Sequence, residues 1–180
     1  MLYNIWFMAL LKIALYPETV LLTVGKPVAE NEFNEDLREL VGNMFETMYK
    51  AQGVGLAAPQ VSVSKRLFVM DVPTENSESN KIAIINPEIL VQEGEQFGEE
   101  GCLSFPGIHT KIKREARAVV RYQDVFGEWR ELDGADLTAR CVLHETDHCD
   151  GIVFLDRMTL LKREMAKRKI KKLQKTGKWE

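Results

Sequence analysis

The sequence predicts an α+β fold built mainly of antiparallel sheet and finished by a C-terminal helix. Three observations carry that expectation: one apolar stripe of helical period precedes a group of strand-like runs, two helical stretches follow it, and regular βαβ alternation is absent. Asn34 can cap the first helix, in which Leu37, Leu40, Val41, Met44 and Met48 recur at the 3.6-residue period, with Gly53 just beyond its end. Gly53 to Gln60 is too small and Gly-rich for regular packing, whereas Arg66 to Val72 reads as a strand. The polar run Thr74 to Asn80 is a surface loop, and Lys81 to Val91 is a second strand in which Asn86-Pro87 marks an edge or a bulge. Glu99 to Gly107 is another irregular, Gly/Pro-rich stretch. Ala116 to Asp124 and Glu128 to Leu132 flank Val125-Phe126-Gly127, as an antiparallel hairpin would. Asp136 is placed to cap the next helix and Gly151 to end it, and a basic helix is expected over about residues 158–176.

At 180 residues and 45% apolar composition the chain can bury one good core, so a single domain over residues 1–180 is expected. Three widely spaced cysteines do not form a disulfide framework, which favours a reducing compartment and a cytoplasmic location. Met1 to Tyr16 is apolar, but Lys12 interrupts it, no basic region precedes it and no small-residue cleavage site follows, so it does not read as a signal peptide. It is also too short to span a bilayer. Met8 is an alternative initiator.

The chemistry concentrates in His144-Glu145-Thr146-Asp147-His148. Residues four apart project from one helical face, so both imidazoles can bind one divalent ion with Glu145 beside it, a pattern of metal-assisted hydrolysis. Two histidines leave a catalytic ion one protein ligand short of three. Cys102, flanked by Gly101, is the strongest candidate, because a thiolate suits Fe²⁺ or Zn²⁺ and glycine permits close approach. Cys141 and Cys149 read instead as small core residues.

Taken together, Gly53-Val54-Gly55-Leu56-Ala57-Ala58-Pro59-Gln60, Glu100-Gly101-Cys102-Leu103-Ser104 and His144-Glu145-Thr146-Asp147-His148-Cys149-Asp150-Gly151 resemble the motifs of the peptide deformylases, in order. These metallohydrolases remove the formyl group from the initiator methionine of new bacterial chains. The resemblance implies a central helix carrying the histidines, with Cys102, His144 and His148 as metal ligands and a water in the fourth position. It makes Glu145 the general base, and assigns the Gln60 amide and the Leu103 backbone N–H to the developing oxyanion. Val54 and Gly55 would pair with an extended N-formylmethionyl peptide, and Val54, Leu137 and Cys141 would shape the pocket for the methionine side chain. By analogy Glu100 pairs with Arg114. The family implies Fe²⁺ in the cell, although the same donors hold zinc, nickel or cobalt. Cys149 stands where leucine is usual and Leu143 where glutamine is common; neither is a ligand or the base.

The net charge of −3 hides an asymmetry, since residues 161–180 hold nine Lys/Arg against two Glu, a local +7 that leaves −10 on residues 1–160. Such a tail is either a solvated terminal helix or a polyanion contact, for which ribosomal RNA is the natural partner. No membrane contact is expected. Two competing readings are a zinc peptidase, disfavoured by a cysteine third ligand, and an RNA-binding module whose structural metal would need Cys141 or Cys149 as a fourth ligand.

Overall fold

Asn34 caps the first helix as its sequence predicts: its side chain accepts from the Leu37 N–H, and helix α1 runs over Glu35–Lys50. The computed structural model describes residues 9–73 and 79–179, so the start at Met8 and most of the Thr74 to Asn80 loop lie outside the described residues. After α1 the left-handed position falls on Gln52 (φ 58°), one residue before the expected Gly53, whose N–H bonds back to the Met48 carbonyl.

Strands β1 (Gly55–Ala57), β2 (Leu67–Asp71), β3 (Lys81–Glu93), β6 (Arg117–Gln123) and β7 (Trp129–Ala135) form one sheet in the order β1-β2-β3-β6-β7. Strands β4 (Gln96–Gly101) and β5 (His109–Arg114) form a second, and every pairing is antiparallel. The Gly53 to Gln60 stretch is therefore more regular than expected, with β1 running into a 3-10 turn over Ala58–Val61. The end of β4 falls in the Glu99 to Gly107 stretch expected to be irregular, and β5 lies in a segment where the sequence predicts no element. In β3 the Asn86-Pro87 feature is a bulge and not an edge, since the strand pairs with β2 on one side and β6 on the other. Asn86 tolerates its positive φ because its side chain is tied to both backbone groups of Val28 and to Gln123.

Helix α2 (Asp136–Cys149) is the central helix. Asp136 is its first residue and makes no side-chain cap: its N–H still bonds Ala116 O, so the chain passes from the β7 end directly into the helix. At the other end Gly151 takes φ 70°, and a Cβ there would meet the Thr23 backbone at 2.8 Å. Leu67 and Val69 of β2 pack with α1, while Phe68 and Met70 pack with Val142 and Cys149 of α2, so the strand's alternation places a helix on each of its faces. Helix α3 (Leu160–Lys175) buries Ala166 and Ile170 with Phe105 and Phe154. No helix among the described residues is long and apolar enough to cross a membrane.

Candidate metal centre

Every residue of α2 from 139 to 149 is buried, including His144, Glu145, Asp147 and His148. Side chains that would be solvated on a surface helix must therefore find partners inside the protein. The two imidazoles stand 5.1 Å apart by ring centroid, one turn apart on the helix. Cys102 follows β4 directly and opens a tight turn in which Phe105 N–H bonds the Cys102 carbonyl. This brings Cys102 Sγ to 3.2 Å from His148 Nε2, and the donor atoms of Cys102, His144 and His148 all lie within 4.8 Å of one another.

That donor set suits a divalent cation. One sulfur and two imidazole nitrogens match zinc, iron, nickel or cobalt, and three protein donors is the count of a catalytic site. The surroundings call for positive charge: burial disfavours a protonated His144, yet hydrogen bonds to Cys102 and Glu100 override it and raise its pKa well above the ordinary histidine value. Burial and the neighbouring His144 keep His148 neutral. Glu145 Oε2 is buried without a hydrogen-bond partner and is free for a group bound beside the cluster; His148 Nδ1, on the far side of the ring from Cys102, and Thr146 Oγ1 are likewise unpartnered.

His144 is aimed by Glu100, whose Oε1 lies 2.6 Å from His144 Nδ1, the carboxylate–histidine arrangement that orients a metal ligand. Arg114 forks onto Glu100 through Nε and Nη2 and reaches Asp147 at 2.6 Å through Nη1. The expected Glu100–Arg114 pair is present, but as a buried pair with side chains 5% and 3% exposed. Burial alone would raise the Glu100 pKa; hydrogen bonds from His144 and Arg114 reverse this and hold it well below the usual carboxylate range. Arg140 adds a third partner to Glu100 at 2.8 Å, and Arg157 forks onto Asp147.

A cavity of about 570 Å³ opens onto this cluster, lined by Val54, Gly55, Gln60, Leu103, Leu137, Cys141, His144 and Glu145 among others. Desolvation pushes Glu145 up to about 7. Such a group can both accept and donate a proton near neutrality. Gly55 has no room for a side chain: a Cβ would lie 2.5 Å from Glu145 Oε1 and 2.8 Å from Cys141 Sγ. Gln60 Oε1 accepts from Ala57 N–H, which turns its NH₂ toward Cys102 Sγ (3.4 Å) and Ser104 Oγ (3.3 Å).

The model of the family described as polypeptide deformylase matches residues 10–164. The chain belongs to the polypeptide deformylase family. The deformylase is 49% identical over 164 residues to a peptide deformylase of Acidobacterium capsulatum, covering 91% of this chain and 95% of that one. Its fold is similar to the crystal structure of a peptide deformylase from Legionella pneumophila, with TM-score 0.85, 43% identity and coverage of 94% and 98% of the two chains. It is also similar to the Met-Ala-Ser-bound class I type b peptide deformylase of Acinetobacter baumannii, with TM-score 0.78, 36% identity and coverage of 84% and 99%.

Within the deformylase, Cys141 and Cys149 stand outside the metal cluster found among the described residues. The Cys141 thiol donates to Val54 O and burial keeps it protonated; Cys149 is buried beside Leu67. Neither supplies the fourth ligand that a closed structural site would need. Leu143, at the position where glutamine is common, packs with Ala118 and Ala139. His109 is a cavity residue that sequence reasoning missed: it lies across Gly101, where a Cβ would fall 2.6 Å from its ring. Its signal is the register partnership with Gly101, visible only once β4 and β5 are paired.

Proposed function

We propose that Cys102, His144 and His148 hold the ion, and Glu145 manages the proton, in this metal-dependent deformylase, which removes the N-formyl group from the initiator methionine of new polypeptides and releases formate. The observation that carries the assignment is the convergence of one thiol and two imidazoles beside a buried carboxylate, with Cys102, His144 and Glu145 lining one cavity. When bound, the cation supplies Lewis acidity for attack of water on the formyl carbon. Glu145 takes the proton of the attacking water and hands it to the departing amine. The Gln60 NH₂, held in place by Ala57 N–H, and the Leu103 backbone N–H donate to the oxygen that gains charge. The test is formate release from a formyl-Met peptide.

On the same reading the open edge of β1 receives the peptide backbone, with Val54 and Gly55 aligned along it, and Val54, Leu137 and Cys141 surround the methionine side chain. The relative bound to Met-Ala-Ser supports a peptide of this kind as occupant. Val54→Trp is expected to raise KM for formyl-Met peptides about tenfold or more, with a much smaller change in kcat. Unchanged kinetics would remove Val54 from the pocket.

We assign Fe²⁺ as the cellular metal, with zinc, nickel and cobalt able to occupy the same donors. Anaerobically isolated native protein should carry about one iron per chain; stoichiometric zinc with full activity would overturn the assignment.

Helix α3 supports a ribosomal RNA contact. Lys162, Arg163 and Lys169 anchor it to backbone carbonyls of the enzyme, whereas Arg168, Lys171, Lys172 and Lys175 are exposed. Because Ala166 and Ile170 belong to the core, charge reversal is a cleaner probe than truncation. Reversing those four exposed residues to Glu should abolish salt-sensitive co-sedimentation with ribosomes and leave turnover of a free peptide intact. Undiminished co-sedimentation would exclude the contact.

A further inference from the structure

The three proposed ligands come from two separately built parts of the fold. His144 and His148 sit on α2, while Cys102 leaves the end of β4, and the β4–β5 hairpin pairs with no strand of the five-stranded sheet. No ladder of backbone hydrogen bonds therefore sets the distance between thiol and imidazoles. Polar side chains connect the hairpin to the helix. His144 reaches Glu100 on β4, and Asp147 receives Arg114 from β5, each joining α2 to one strand.

Arg140 joins α2 to both strands. It lies four residues before His144, on the same helical face. Its Nη1 donates to Glu100 Oε2 at 2.8 Å and to Ile112 O at 3.3 Å, and its Nη2 to Gln96 Oε1 at 3.2 Å. Gln96 closes the circuit, because its amide nitrogen bonds Asp136 O at the first residue of α2 and Glu115 O beyond β5. Gly98 leaves the space: a Cβ there would sit 3.1 Å from Arg140 Nη2. The side chain is only 7% exposed. A planar fork serves a carboxylate, a carbonyl and an amide from two separate nitrogens in a fixed geometry, a span that a single ammonium nitrogen does not have.

We propose that Arg140 is a positioning residue that holds the Cys102 strand at the correct distance from the histidine pair. It acts through Glu100, Ile112 and Gln96. The inference rests on Cys102, His144 and His148 being the ligands.

The test uses full-length chain loaded with Co²⁺, reading cobalt release to a chromogenic chelator and the thiolate-to-cobalt charge-transfer band. Arg140→Met keeps the side chain's bulk, and Glu100 retains Arg114 and His144 as partners. Its cobalt should leave about 10 to 100 times faster than from the parent, in the range found for outer-shell changes, with a weakened band. On the iron-loaded enzyme, kcat should fall more than KM changes. Cys102→Ala runs beside it, and a parental band and release rate in that variant would defeat the ligand assignment itself. Loss of the band in Cys102→Ala, with parental release and band in Arg140→Met, would overturn the role of Arg140 alone. Should Arg140→Met fail to fold, Gln96→Ala withdraws one acceptor and the tie to Asp136 without touching Glu100. Faster release from that variant supports the proposal, and a parental rate overturns it.

Discussion

Glu145→Ala is expected to abolish measurable formate release from a formyl-Met peptide while the metal stays bound. Glu145 lies outside the Cys102/His144/His148 cluster, so its removal takes away no proposed ligand. What is lost is the group that moves the proton, a contribution of about 10²–10⁴ in rate. Its position also leaves little chance of replacement, since it is buried against Gly55 and Cys141. The comparison is steady-state formate release by anaerobically prepared, iron-loaded parent and variant, with metal content measured on the same samples. A variant that works at the parental rate would show that another group is the base. A parent that retains its metal and releases no formate would return the site to the peptidase reading.

The second large effect is on stability. Arg114→Met should lower the unfolding free energy by about 3–5 kcal/mol, because it withdraws one cation from two buried carboxylates, Glu100 and Asp147. For a chain of this size that corresponds to a fall in Tm of roughly 6–20 °C. Arg140 and His144 still face Glu100, and Arg157 still faces Asp147, so the lower half of that range is the stronger expectation. Both proteins should be melted after chelation, since bound metal stabilises whichever binds it more tightly. A midpoint within about 2 °C of the parent would mean that the remaining partners suffice and that Arg114 contributes little net stability.

Much of the site was legible because its chemistry sits in short motifs. The spacing of His144 and His148 needs only a helix, and the glycine before Cys102 advertises a close approach. The partners of these residues were hidden. From Asp136 to Cys149 polar and apolar residues are interleaved as on a half-exposed helix, yet residues 139–149 are all buried. For Asp147 that burial is tolerable because Arg114, from the other side of β6 and β7 in sequence, and Arg157, from the turn after α2, arrive beside it. Nothing in the spacing of Arg140 separates a buried fork from a solvated surface charge. Strand β4 was missed for a related reason: Gln-Phe-Gly-Glu-Glu-Gly lacks the β-branched alternation of a strand, and its Glu100 faces inward toward ionic partners instead of an apolar core. Asp136 is not the cap because Ala135 holds the N-cap position and Asp136, at φ 49°, is already the first residue of α2.

Strand β1 lies at the end of its sheet and is three residues long. An open edge is ordinarily a hazard, since it can template pairing between copies of a protein. On the reading proposed above, three residues give too few main-chain groups for a lasting sheet between copies but enough to align a peptide for one turnover. Amide groups are common to every protein a cell makes, so alignment of this kind is blind to sequence. On that reading selection rests on the residue that enters the pocket of Val54, Leu137 and Cys141, and one catalyst serves chains that differ beyond it.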